Sequence, residues 1–320
     1  MILPKNLEIL PPYDDRIFKT MLTHPDAKPA LMDLISATTG RNVTDVEVRN
    51  NELPVASTEE KNERLDVNCV IDNGDQIDVE MQGSRLEEIA DGHLNFINKS
   101  VYYLTDLHSS QKSKGVNYYE LVRTYQVTFS TYTIFPGYSE YFSRISLRRP
   151  DGELVSDQIN MIIVELSKLG EVIRKPIEMM TSLEMWSAFL KFAPDPRYRG
   201  IINKLIDRRR ELAMAAEVLT AISEDERERA KLMSRKKFET DMYSNIHTAE
   251  ERGRITGRSE GMKEGRAEGM KEGRTEGKAE AVTEIIRNMK ALGMSIDDIA
   301  RITDMPLDEA AGYYEIIKSE

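Results

Sequence analysis

Hydrophobic and polar positions alternate with period two in two adjacent segments. In 64–71, Leu65, Val67, Cys69 and Ile71 share one face and leave Asp66 and Asn68 on the other. In Gln76–Gln82, Ile77, Val79 and Met81 share a face, opposite Asp78, Glu80 and Gln82. This alternation predicts two half-buried strands, and Asp72-Asn73-Gly74 between them is turn chemistry. A two-residue Asn73-Gly74 loop would pair Asp66 with Met81 and mix the faces. A three-residue loop pairs Asp66 with Glu80, Asn68 with Asp78 and Val67 with Val79, with Gly74 in the left-handed position that such a loop needs. Since a one-residue slip would invert every side chain, the pattern selects the three-residue loop.

The flanking segments follow mixed periods. Asp14–Leu22 reads as a short helix burying Ile17, Phe18, Met21 and Leu22. A longer one from about Leu86 to His108 carries Ile89, Leu94, Ile97, Val101, Leu104 and Leu107 on its apolar face. Tyr125–Tyr132, Phe142–Leu147 and Gln158–Leu166 read as strands, the last two flanking the turn Arg149-Pro150-Asp151-Gly152. Strands and helices intermixed in this way predict an α/β core, a mixed sheet flanked by helices, followed by an all-helical extension. Pro176 opens a helix with Met179, Met180, Leu183, Trp186 and Leu190 as core positions, and Pro194-Asp195-Pro196 stops it. Ser223 with Glu226 forms a capping box for a charged helix to about His247. The expected division is a core over 1–170, a helical extension over 171–250, a repeat over 251–282 and a small tail over 283–320.

In the repeat, glycine recurs every four residues from Gly253 to Gly277, and Gly261–Glu268 returns as Gly269–Glu276 with one change, Ala267 to Thr275. On a helix this row is a groove beside a row of glutamates. Each glycine costs a helix about 1 kcal/mol relative to alanine, so the segment reads either as a helix that forms with a like partner or as a flexible spacer. Balanced charge over 250–280, 8 acids against 8 bases, favours a like segment over DNA. The expected partner is a second copy, through the C-terminal helices. After Gly293, a C-cap, Ser295 and Pro306 open two short helices that resemble a helix-turn-helix. Its last helix offers Asp308, Glu309 and Glu315, which suits protein contact better than base reading.

Composition narrows the function. Over 320 residues, 44 Lys+Arg stand against 55 Asp+Glu, a formal net charge of −11, which excludes indiscriminate coating of nucleic acid. No apolar run approaches the roughly 18 residues of a membrane span, and the first residues show no secretion signal. Cys69 is the single cysteine and the four histidines lack metal-ligand spacing, so a reducing cytoplasm is the expected location. The densest basic run before the repeat, Arg197, Arg199, Lys204, Arg208, Arg209 and Arg210, is either a phosphate grip or a solvated helix face.

Residues 1–84 hold 16 acids against 8 bases. Asp66 and Glu80, opposed across the hairpin at about 4.5–5.5 Å between Cβ atoms, repel unless something binds them. A hard divalent cation with oxygen ligands is the simplest candidate, with Mg²⁺ first. The plain alternative is a solvated polar face.

Asp66 followed by Glu80-Met81-Gln82 resembles the active-site signature of the PD-(D/E)xK nuclease superfamily. The form with Gln for the usual Lys is similar to its Rpn-like branch of recombination-promoting nucleases and transposases. Asp15-Arg16-Ile17-Phe18-Lys19, Asp72-Asn73-Gly74 and the stretch from Gly115 to Tyr119 also resemble that branch, as do the glycine-and-charge tails. The resemblance, over roughly 12–170, implies a restriction-endonuclease-like core and Mg²⁺-dependent cleavage of DNA, with Mn²⁺ as an alternative ion. It implies that Asp66, Glu80 and the Met81 backbone carbonyl are metal ligands, and that Gln82 stands where a lysine orients or activates water. It also implies catalytic contributions from Asp15 and Lys19. Gln cannot carry charge, so Lys19 and Lys99 are candidates to supply it. The competing function is a catalytically weak, transposon-derived DNA-binding or oligomeric assembly protein.

Overall fold

The computed structural model describes residues 2–49, 67–72, 74–83, 85–111 and 117–316, with backbone alone for 85–95 and 316. Two compact units divide between Tyr243 and Ser244.

In the first unit, α1 (Asp15–Leu22) is capped by Asp14, whose carboxylate accepts from Ile17 N at 3.3 Å. Helix α2 (Lys28–Thr39) ends on Gly40 at φ 72°. Strands β1 (Val46–Val48), β2 (Val67–Ile71) and β3 (Gln76–Gln82) follow, then α3 (Arg85–Ser109), β4 (Thr124–Ser130), β5 (Phe142–Arg148) and β6 (Leu154–Glu165). Among the described residues they form one mixed sheet in the order β1-β2-β3-β4-β6-β5. β3, β4 and β6 run parallel, which α3 permits by carrying the chain back between β3 and β4. This is the mixed sheet flanked by helices of a restriction-endonuclease-like core, with a helical C-terminal extension.

The hairpin register is that of the three-residue loop. Val67 faces Val79, Asn68 faces Asp78 and Cys69 faces Ile77. Gly74 N donates to Ile71 O at 2.7 Å with Gly74 at φ 87°, a left-handed position that glycine adopts without strain. Asp66 and Asn73 lie outside the described residues.

Val67, Cys69, Ile77, Val79, Met81, Tyr125, Val127 and Phe129 pack with α1 and α2 in one large core. Helices α4 (Ser182–Phe192), α5 (Arg199–Arg208) and α6 (Arg210–Glu224) complete that core through Trp186, Phe189, Leu205 and Leu219. On the other sheet face, Phe96 and Leu104 of α3 meet Ile134, Met161 and Ile163 in a smaller cluster.

Some boundaries differ from the sequence expectation. Helix α4 starts at Ser182 under a Thr181–Glu184 capping box, and Pro176 precedes only one 3₁₀ turn, leaving Met179 exposed. Helix α7 (Glu226–Ala291) is capped by Asp225, whose carboxylate accepts from Arg227 N at 2.8 Å. Ser223 instead donates to Leu219 O within α6 and accepts from Leu10 N. Val101 of α3 is exposed, while Phe96 and Ser100 are buried.

In the second unit, the 66-residue α7 continues through the glycine repeat, and a Cβ built on any glycine from Gly253 to Gly277 meets nothing within 4 Å. Helices α8 (Ile296–Thr303) and α9 (Leu307–Ile316) pack together after α7, and Ile286 of α7, Ile299 and Ala310 are buried. Lys290 Nζ donates to Tyr314 O at 2.9 Å. Among the described residues no helix is long and apolar enough to cross a membrane.

Gly83, directly after β3, approaches the backbone two residues before α1: a Cβ there would lie 2.1 Å from Tyr13 O. Both groups are backbone and cannot rotate away. Gly83→Ala should therefore destabilise the fold by about 2–3 kcal/mol in urea unfolding, and an unchanged midpoint would show that the Tyr13–Gly83 approach is absent in solution.

Candidate active site

Strand alternation and register together place a polar layer on the face of β3 under α3. Asn68, Asp78 and Gln126 form one row across β2, β3 and β4, Glu80 and Thr128 a second, and Gln82 and Ser130 a third. This face is not solvated. Asp78 is 1% exposed, Glu80 6%, Gln82 5% and Thr128 0%. Helix α3 covers it, with Phe96 and Leu104 packing on the adjoining apolar patch of β6.

Burial sets the electrostatics. Desolvation raises the Glu80 carboxyl above the usual range, offset in part by a hydrogen bond with Asp78, by the Lys99 charge from α3 and by Gln82. Gln82 Nε2 donates to Glu80 Oε2 at 3.5 Å. Gln82 Oε1, Thr128 Oγ1 and both amide atoms of Gln126 are buried and find no hydrogen-bond partner among the described residues. Each such group costs on the order of 1–3 kcal/mol, so the layer is under-satisfied by the described residues.

Residues 12–249 match the family model described as PD-(D/E)XK nuclease family transposase. The chain belongs to this family. No curated protein and no solved structure matches it. Membership places the chain among nucleases linked to mobile elements, a group that typically uses divalent metals.

Within this family frame the sequence candidates separate. Glu80, Met81 and Gln82 are consecutive on β3, with Met81 opposite Phe129 in the ladder and its side chain in the core. Lys99 is close enough to act on Glu80 and lies 5.8 Å from the Tyr103 ring centroid. Asp66 lies outside the described residues, and among those described no group of three or more His, Cys, Asp and Glu side chains could hold a metal. Asp15 and Lys19 are on α1, which packs by Ile17, Phe18, Met21 and Leu22 on the sheet face opposite Glu80. Asp15 is held by both terminal nitrogens of Arg235, Nη2 at 2.9 Å. The structure therefore brings Lys99, not Asp15 or Lys19, to Glu80.

The basic run divides: Arg199 and Arg209 turn inward, while Arg197, Lys204, Arg208 and Arg210 are exposed. Arg209 clasps Asp33, Arg197 pairs with Asp195 at 2.6 Å, and Arg199 is buried and donates to Leu7 O. Gln126, Thr128 and Ser130 were the missed members of the polar layer. Their signal is the same period-two alternation, Thr124, Gln126, Thr128, Ser130, hidden by the β-branched and aromatic character of the strand.

Raised by burial, Glu80 keeps its proton to higher pH in the folded than in the unfolded chain. The folded state binds more protons across that window, so stability falls as pH rises through it. Glu80→Gln has the shape of the protonated acid and cannot ionise. In metal-free buffer it should melt above the wild type at about pH 8, with the gap closing towards about pH 4. A gap independent of pH would show that Glu80 titrates normally.

Proposed function

We propose that this chain is a metal-dependent DNA endonuclease hydrolysing phosphodiester bonds in the recombination or movement of mobile elements. The observation that carries the reading is Glu80, a buried carboxylate between Gln82 and the field of Lys99, on the strand that bears the signature. Asp66, Glu80 and the Met81 carbonyl would hold the metal. The layer fits a cation because it concentrates buried oxygen acceptors, Gln82 Oε1 among them, that find no donor among the described residues. Asp66 directly precedes Val67 in the sequence and is the acid that the signature joins to Glu80.

A bound Mg²⁺, or Mn²⁺ in its place, supplies a more acidic water and offsets charge on the phosphoryl oxygens. The protein's part is division of labour. Gln82 holds Glu80 through its amide N–H and presents Oε1 to accept a hydrogen bond that orients the attacking water. Lys99 provides the positive charge that Gln82 lacks.

In a plasmid-nicking assay with Mg²⁺, Glu80→Ala and Asp66→Ala should each lose about 10²-fold or more in rate, Lys99→Met should lose at least about 10-fold, and chelator should abolish nicking. Equal nicking by wild type and Glu80→Ala sinks the assignment. A catalytically weak DNA-binding or assembly protein is the second reading, favoured by Gln82 in place of Lys. It predicts DNA binding with no Mg²⁺-dependent nicking in any variant.

We also propose self-association through the C-terminal helices, with the glycine face of α7 as the contact. Among the described residues nothing lies within 4 Å of a Cβ on that face. Gly261→Ala with Gly265→Ala and Gly269→Ala should weaken an oligomer in sedimentation, although alanine favours the isolated helix by about 1 kcal/mol per site. A higher melting temperature with unchanged mass would instead mark the segment as a spacer.

A further inference from the structure

A second polar site lies on the opposite face of the sheet, at the start of β4. Ser146, Asn160 and Tyr125 are neighbours across β5, β6 and β4, and Tyr125 precedes Thr128 by three residues on the face turned away from Glu80. They floor an open pocket of about 360 Å³ whose walls carry Arg41, Arg144 and Arg148.

The guanidiniums are anchored by neutral acceptors. Arg41 Nε donates to Tyr125 Oη at 3.1 Å, Arg144 Nη1 to Thr39 O at 3.2 Å, and Arg148 Nη1 to Gly152 O at 2.7 Å. Among the described residues no carboxylate pairs with Arg144 or Arg148. The acids nearby are Asp157, which Arg123 binds at 2.6 Å, and the buried Asp75, at 4.0 Å from Arg41. The pocket's own lining therefore sets three guanidiniums against one carboxylate, Asp157, which Arg123 already binds, a surplus of two positive charges held in place before any ligand arrives. Neutral anchors fix the arginine planes without consuming their charge, and fixed guanidinium forks match the oxygens of a phosphate.

Arg144 also lines a neighbouring cleft with Phe135, Tyr138 and Phe142. Aromatic faces beside a phosphate-sized cationic pocket suit a phosphate that carries a base. A concave pocket of this volume takes one terminal group better than the continuous backbone of a duplex.

We propose that the Arg41–Arg144–Arg148 pocket binds a nucleotide 5′-phosphate monoester, borne either by a DNA end or by a free nucleotide. The site is separate from Glu80, so binding is measured in chelator, where cleavage plays no part and failure of the nuclease reading has no effect. The full chain is titrated with a 5′-phosphorylated single-stranded oligonucleotide, its 5′-hydroxyl twin and 5′-AMP. The 5′-phosphate should tighten oligonucleotide binding at least about 10-fold, and Arg144→Gln with Arg148→Gln should erase that difference. Both side chains are exposed, so the double variant should fold, with a circular dichroism melt matching the wild type. Competition by 5′-AMP at similar affinity identifies the free nucleotide as the source, and failure of 5′-AMP to compete identifies the DNA end. Equal affinity for the two oligonucleotides with no 5′-AMP binding, or a phosphate effect that survives the double variant, overturns the proposal.

Discussion

A strand in the middle of a parallel sheet, with helices on both faces, is normally apolar on both faces. β3 is not. Asp78, Glu80 and Gln82 take every second position on a strand paired on both sides, and β4 answers with Gln126, Thr128 and Ser130 in register. Burying such a layer beneath α3 is unfavourable at nearly every group, because desolvation is only partly repaid by hydrogen bonds within it. Its persistence depends on the opposite face, where β2, β3 and β4 share an extensive apolar core with α1, α2 and the later helices. It depends equally on α3 staying seated. Gln111 does that directly: its Oε1 accepts from Val122 N at 2.9 Å and its Nε2 donates to Val122 O at 3.1 Å, while His108 Nδ1 meets Thr124 Oγ1 at 2.9 Å. Local rules broken at this cost are expected where a fold keeps chemistry.

The later helices also change the meaning of the net charge. Acids crowd the first 84 residues, which reads as an unmet demand for cations. Much of that demand is met from the other end of the first unit. Asp33 accepts from Trp186 Nε1 at 2.7 Å and from Arg209, Asp15 is held by Arg235, and Glu8 pairs with Arg229. These contacts span 153 to 221 positions in sequence, so no local charge count could show them. At Glu80 the positive field comes instead from Lys99 of α3.

The hairpin was legible because two independent constraints agreed: facing residues had to match in polarity, and Gly74 had to sit at positive φ. Burial of the polar face was not legible, since alternation looks the same whether a strand's second face meets water or a helix. The short β1 gave no periodic signal at three residues. Capping misled where competing donors were close together: Ser223 satisfies a carbonyl of the preceding helix, so Asp225 takes the cap. Within the basic run of 197–210 only Arg199 and Arg209 depart from a solvated face, because their partners, the Leu7 carbonyl and Asp33, are remote in sequence. Lys99 was visible as a lysine on a nearby helix, but only the packing of α3 distinguishes it from Lys19.

Gln82 is the position that decides how such a site could work. A lysine there would bring an ammonium to a position only 5% exposed, beside a carboxyl already strained by burial. A buried ammonium loses its charge unless tightly paired. Placing the charge on half-buried Lys99 leaves its head partly hydrated, while its field still reaches Glu80. The strand position then needs only a neutral group that both donates and accepts, which an amide does and a lysine cannot. The consequence is structural. Charge and carboxylate now stand on different elements, so the electrostatics of the site exist only while α3 is docked on the sheet. The Gln111 and His108 contacts that hold the end of α3 therefore belong to the function as much as to the fold.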